Sequence, residues 1–194
     1  MNDEIAKYRK PDAPVLPLII ERWSPRAMTG EPLDRETIQG IFEAARWAPS
    51  SYNNQPWRFL YATHNSQKWQ ALFDLLMEAN QAWVKDAALL ILVLSAKTVN
   101  GRPQKTHHVE AGMAYQNMAL QAASMGLVFH GMAGFDYEKA AQLVGNDNLS
   151  VECMIAVGKP ASKERLPEQL QKAEVPSTRN PVSSFASQDP RDLK

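Results

Sequence analysis

The sequence predicts a layered α/β domain in which helices cover a central sheet, and three observations carry that expectation. Residues 87–95 are apolar without alternating with polar side chains, so the strand they form must be covered on both faces. Residues 34–47 place Ile38, Ile41, Phe42 and Ala45 at helical spacing, which gives one amphipathic cover. Short apolar runs at 57–62, 127–130 and 151–157 alternate with helical stretches, and together with 87–95 they make a sheet of at least four strands.

Asp34 is placed to cap the first long helix, which ends before Pro49; the polar stretch 50–55 is then a loop leading into the strand at 57–62. Ser66 is placed to cap a second helix running to about Asn80, with Trp69, Leu72, Phe73 and Leu76 as its apolar stripe. Asn100, Gly101 and Pro103 mark a turn. From 106 to 125 runs the longest helix, stopped by Gly126, with Val109, Met113, Ala114, Met118, Leu120, Ala122 and Ala123 around most of its circumference. Such a helix needs cover on more than one side, and its alanines and Gly112 allow close approach, so it is expected to serve both the core and a subunit interface. Asp136 caps a two-turn helix ending at Gly145. Beyond Gly158 there are five prolines in 160–194 and only a short helical stretch at 167–173. This segment is not expected to form a core of its own, and its scattered Val175, Val182 and Phe185 suit wrapping around a partner subunit.

Bulk properties narrow the function. A chain of 194 residues fits one domain. With 21 acidic and 21 basic side chains, no overall field draws it to nucleic acid or an anionic membrane. The opening MNDEIAKYRK lacks the apolar run of a signal peptide, and 87–94 is too short to span a bilayer. A single cysteine, Cys153, forms no intrachain disulfide and reads as a small buried hydrophobe, in keeping with the reducing cytoplasm. The expectation is a cytoplasmic protein that acts on small molecules.

Three clusters carry chemistry. In Arg22-Trp23-Ser24-Pro25-Arg26 two arginines bracket a serine, and a guanidinium fork suits a phosphate because it donates in parallel to two oxygens. The run Ala48-Pro49-Ser50-Ser51-Tyr52-Asn53-Asn54-Gln55-Pro56-Trp57 packs short uncharged donors and acceptors between two prolines, a set suited to a heteroaromatic ring edge. The third, 126–135, is a strand leading into a glycine-bearing loop whose backbone N–H groups could approach a planar ligand. Of the histidines at 64, 107, 108 and 130, His107 and His108 are adjacent at a helix start and are expected to point apart, so no metal site is predicted; His130 is not assigned direct chemistry. Trp69 lies on the apolar stripe of its helix, whereas Trp83 lies off it.

Taken in this order, the clusters resemble the nitroreductase family of FMN enzymes from Arg22 to about Pro181. The most specific match is Ala-Arg-Trp-Ala-Pro-Ser-Ser-x-Asn-x-Gln-Pro-Trp at 45–57, backed by Asn80, by Trp83-Val84-Lys85-Asp86-Ala87 and by Glu110-Ala-Gly-Met-Ala-Tyr-Gln-Asn. The resemblance implies a three-layer fold with a mixed, mainly antiparallel sheet, a single FMN-binding domain over 1–194, and an intertwined homodimer in which 159–194 wraps the partner. Arg22 and Ser24 would contact the flavin phosphate and ring edge, with Trp23 offering main-chain groups. Pro49, Ser50, Ser51 and Asn53 would reach in from the other subunit, supported by Gln55. Asn80 and Trp83 would touch the ring or substrate, and Met132, Ala133 and Gly134 would bring a backbone N–H to flavin N5; some relatives carry glutamate where this chain has Ala133. A second phosphate-binding arginine matches Arg179-Asn180-Pro181, with Arg165-Leu166-Pro167 beside Lys163 as the alternative. By the same resemblance no side chain is catalytic, because the flavin carries the chemistry. NADH or NADPH would donate in a ping-pong cycle to nitroaromatic, quinone or similar planar acceptors. Two alternatives stand beside this: a same-fold reductase of activated alkenes, semialdehydes or halogenated substrates, or a non-catalytic flavin-binding protein.

Overall fold

A computed structural model describes residues 3–192; Met1, Asn2, Leu193 and Lys194, included in the expected 1–194 domain, lie outside the described residues. Two short helices, α1 (Asp3–Ala6) and α2 (Pro17–Glu21), precede α3 (Arg35–Arg46). The Asp34 carboxylate accepts from the Thr37 N–H, and Ile38, Ile41 and Ala45 are buried, so both the cap and the stripe read from the sequence hold. The chain continues through β1 (Trp57–Thr63), α4 (Trp69–Phe73), α5 (Glu78–Val84) and β2 (Leu89–Ala96). A hairpin of β3 (Thr98–Val99) and β4 (Arg102–Pro103) turns at Asn100 and Gly101, both at positive φ. Next come α6 (His107–Ser124), β5 (Val128–Met132), α7 (Tyr137–Val144), β6 (Leu149–Gly158) and α8 (Glu168–Gln171).

The main sheet has the order β1-β2-β6-β5, and each of its pairings is antiparallel. Every residue of β2 is buried, as its uninterrupted apolar run required. Alternate side chains serve two cores: Leu89, Ile91 and Val93 join Ile41, Ala114 and Met118 on one face, while Leu90, Leu92 and Leu94 join Trp69, Leu72 and Trp83 on the other. Three layers result, with α3 and α6 on one side and the shorter helices on the opposite side.

One helix is not continuous. The expected helix from Ser66 to Asn80 is instead α4 and α5, and Ser66 offers no side-chain cap, its hydroxyl donating back to the Thr63 carbonyl. The interruption has a cause: Leu76 bridges Phe135, the Asp136 N–H donates to the Leu75 carbonyl, and the Met77 N–H donates to the Gly134 carbonyl. Tertiary pairing outcompetes helix propensity here and carries Asn80 to the end of β5.

The C-terminal extension also departs from expectation. Leu166 is buried in the core, and Ala161 and Leu170 pack against that same core. The Glu174 carboxylate accepts from the N–H groups of Arg26 and Ala27 at 2.5 and 2.9 Å. Residues 161–179 therefore fold onto their own chain, since buried leucine and a carboxylate satisfying two backbone donors anchor them. Val182 and Phe185, farther along, remain exposed.

Candidate functional site

The chain gathers cationic groups in one cavity of about 270 Å³, lined by Arg9, Arg22, Trp23, Ser24, Arg26, His130, Ala173, Val175, Ser177 and Arg179. Four of the predicted site residues thus meet: the consecutive Arg22, Trp23 and Ser24, and Arg179 from near the far end of the chain. Arg165 lines no part of it: its guanidinium donates to the Thr29 carbonyl at 3.3 Å and stands 3.9 Å from Asp86. Lys163 is likewise outside the lining.

Arg9 carries no signal in the sequence because it lies in a stretch without periodic pattern. It is 9% exposed and donates to the carbonyls of Ile20 and Arg22, each at 2.6 Å, and of Ser177 at 3.2 Å, so one side chain ties the Arg22 segment to the tail. Burial lowers the pKa of Arg9, and the charges of Arg179 and Arg22 lower it further. Arg22 is lowered chiefly by burial, with Tyr115 opposing and Arg179 adding to the shift. Arg26 has an acidic partner in Glu174 at 3.5 Å, whereas no carboxylate among the described residues lies within ion-pair distance of Arg22 or Arg179. Like charges close together with no described carboxylate to pair them favour an anion between them.

β5 leads out of this cavity. His130 Nδ1 lies 2.9 Å from the Pro25 carbonyl, and burial foremost lowers its pKa, which favours the neutral ring with Nδ1 as donor. Three residues on, about 10 Å along an extended strand, Ala133 is exposed and Gly134 half-buried. Asn80 Nδ2 donates to the Gly134 carbonyl at 2.9 Å, so its role visible in the fold is to hold this loop. Met132 is buried at the strand end. Trp83 departs from its expected ligand contact: it is 2% exposed, belongs to the core and packs against His130 with ring centroids 4.7 Å apart. Lying off one helical stripe did not expose it, because the helix that would have carried that stripe is broken.

A Cβ on Gly134 would come within 2.7 Å of Asn80 Nδ2. Gly134→Ala is therefore expected to displace Asn80, sacrifice one neutral hydrogen bond worth about 1 kcal/mol and lower the melting temperature by about 2–4 °C. Calorimetry of the two proteins checks this; an unchanged transition would show that the loop does not depend on that contact.

The polar loop lies elsewhere. Tyr52, Asn53 and Gln55 all hold positive φ, at 51°, 55° and 48°, a conformation costing of order 1–3 kcal/mol for each such residue. Side chains maintain it: Ser50 Oγ accepts from the Gln55 N–H, Gln55 Nε2 donates to the Asn53 carbonyl, and Asn54 Nδ2 donates to Gln104 Oε1. Glu110 on α6, 3% exposed, accepts from the Ser51 N–H at 3.0 Å and the Thr106 hydroxyl at 2.6 Å. Pro49, Ser51 and Asn53 are exposed, Ser50 and Gln55 half-buried, and no residue of this loop lines the arginine cavity. On α6, Val109, Gly112 and Met113 are also exposed, whereas Ala111, Ala114, Met118, Ala119 and Ala122 are buried.

A further cluster corrects the sequence reading. His107 and His108 converge, with ring centroids 3.7 Å apart, because both first-turn side chains lean toward Glu152. Cys153, next to Glu152, is partly buried, and burial and the Glu152 charge push its thiol up to about 12. Among the described residues no helix is long and apolar enough to cross a membrane.

Comparison with known proteins gives concordant results. A family model described as "Nitroreductase family" matches residues 19–159. A solved structure described as an oxidoreductase containing FMN is 40% identical, covers 96% of this chain and 97% of its own, and superposes with a TM-score of 0.91. Protein DrgA of a Synechocystis species is 32% identical over 159 residues, 66% of this chain and 74% of the relative. The oxygen-insensitive NADPH nitroreductase of Helicobacter pylori is 30% identical over 123 residues, 62% of this chain and 54% of that enzyme.

Proposed function

The chain belongs to the nitroreductase family, and on that premise we propose that it is an FMN-dependent oxidoreductase that takes electrons from NADH or NADPH and delivers them in a ping-pong cycle to nitroaromatic, quinone or similar planar acceptors. The observation that carries the reading is the cavity in which Arg22 and Arg179 face each other without a carboxylate among the described residues. It fits the phosphate end of FMN, since charge-assisted bonds from guanidinium would answer the uncompensated charge. When bound, FMN accepts a hydride and passes electrons onward.

The protein's part is to bind and orient. Arg22, Arg179 and Ser24 would hold the phosphate; Arg9 fixes the Arg22 backbone and the Ser177 segment beside them. The loop 132–134, held by Asn80, would present backbone to the ring edge. Neutral backbone donors there would favour a ring that carries negative charge, and their preorganisation would spare reorganisation energy. The exposed polar loop, which lines no part of the arginine cavity, suits a site completed by a second copy, whose Pro49, Ser50, Ser51 and Asn53 would close over the ring while Gln55 braces that loop. The exposed Val109, Gly112 and Met113 and the uncovered Val182 and Phe185 supply apolar surface for that homodimer.

The reading is tested by the absorbance spectrum of freshly purified protein, followed by anaerobic addition of NADH or NADPH and then of a nitroaromatic or quinone. The expected course is an oxidised-flavin spectrum with one FMN per chain, bleached by the nicotinamide and restored by the acceptor. A colourless protein that fails to take up added FMN would overturn it; bound FMN with no nicotinamide oxidation would leave a flavin-binding protein.

A further inference from the structure

We propose that His107, His108 and Glu152 form a binding site for a divalent transition metal ion of the zinc class, at a place separate from the arginine cavity. Three residues from two elements meet there: one ligand atom from each lies within 4.8 Å of the others. Ligand atoms bound at about 2.1 Å to one tetrahedral ion stand about 3.4 Å apart, so side-chain rotation is enough to close the site. His108, 59% exposed at its side chain, has the freedom to rotate, while His107 and Glu152 are more enclosed.

The arrangement is built by the fold. Between β2 and β6 the register slips: Val93 pairs with Cys153 and Leu94 with Val151, leaving Glu152 as the extra residue of a bulge. A bulge re-aims the side chain it carries, and here it delivers a carboxylate to the first turn of α6. The buried Ser95 hydroxyl donates to Glu152 and, having only that one proton, accepts from His107 Nδ1 at 2.6 Å. His108 Nδ1 lies 2.7 Å from the same Glu152 oxygen. The bond from His107 to Ser95, an imidazole N–H donating to an oxygen outside the ligand set, is of the kind that orients histidines that hold metals. Two imidazoles and a carboxylate suit zinc, copper or nickel rather than the oxygen-seeking calcium or magnesium, and the exposed side leaves room for solvent to complete the coordination. A bound ion would pin the start of α6 to β6, one turn from the Glu110 that restrains the polar loop.

The test is calorimetric titration of tag-free, FMN-loaded protein with Zn²⁺, alongside thermal melts with and without the ion. One ion per chain is expected, with a rise in melting temperature. His108→Ala and Glu152→Gln are each expected to weaken binding about 100-fold or more and to abolish the rise. His108→Ala removes an exposed side chain and keeps the test decisive if Glu152→Gln does not fold. With Cu²⁺ as a paramagnetic probe, the resonance spectrum should show two imidazole nitrogens in the parent protein and one in His108→Ala. No saturable binding, or binding undiminished by these substitutions, overturns the site and leaves a hydrogen-bonded cluster.

Discussion

Arg22→Ala is expected to lower FMN affinity about 10- to 100-fold, because each charge-assisted hydrogen bond from guanidinium to phosphate contributes about 1.5–3 kcal/mol. Equilibrium dialysis of the apoprotein against FMN measures it. The same loss is expected for Arg179→Ala, which lines the same cavity, and none for Arg165→Ala, which points to Thr29 and Asp86 instead. The apoprotein should not be destabilised by Arg22→Ala through charge, since the substitution relieves repulsion with Arg9 and Arg179. Parallel melts of apoprotein therefore separate a binding defect from a folding defect. If Arg165→Ala abolished binding and Arg179→Ala did not, the phosphate would sit outside the arginine cavity.

Two truncations should differ sharply. Ending the chain after Pro160 removes Leu166 from the core and leaves the N–H groups of Arg26 and Ala27 without the Glu174 carboxylate. Burial of one leucine is worth about 1.5–3 kcal/mol and each orphaned buried donor costs about 1–3 kcal/mol. The sum is of the order of a domain's whole stability, about 5–15 kcal/mol, so little folded protein is expected. Ending the chain after Asn180 removes the exposed Val182 and Phe185 but none of the residues that anchor 161–179, so the subunit should fold while dimerisation weakens. Sedimentation at graded concentrations measures the second effect, and circular dichroism the first. A fully dimeric 1–180 chain would show that the last residues do not cover a partner.

How much of the fold is legible in the sequence depends on how local each cause is. The cap at Asp34, the stripe Ile38-Ile41-Ala45, the doubly covered β2 and the Asp136–Gly145 helix depend on spacing within a few residues, and each stands as expected. The broken helix between Phe73 and Glu78 depends on pairing of Leu76 with Phe135, a contact across the fold that no window of local periodicity contains. The same distinction holds at the site. Arg22, Trp23 and Ser24 are recognisable as a motif, but Arg9 works through carbonyls at Ile20, Arg22 and Ser177, and only the folded tail brings those together. The convergence of His107 and His108 on Glu152 is hidden for a similar reason: a one-residue bulge in β6 leaves no mark in composition.

The guanidiniums of Arg9, Arg22 and Arg179, without a carboxylate partner among the described residues, bear on the life of the protein in a cell as well as on its chemistry. A subunit that folds before it meets an anion carries their mutual repulsion, and a ligand that answers it adds about 2.7 kcal/mol of stability once present at a hundredfold excess over its dissociation constant. Quality-control proteases sample the unfolded fraction, so a margin of that size changes abundance several-fold. If FMN is that ligand, its supply would act on turnover: cells with less FMN would hold less of this protein at the same rate of synthesis.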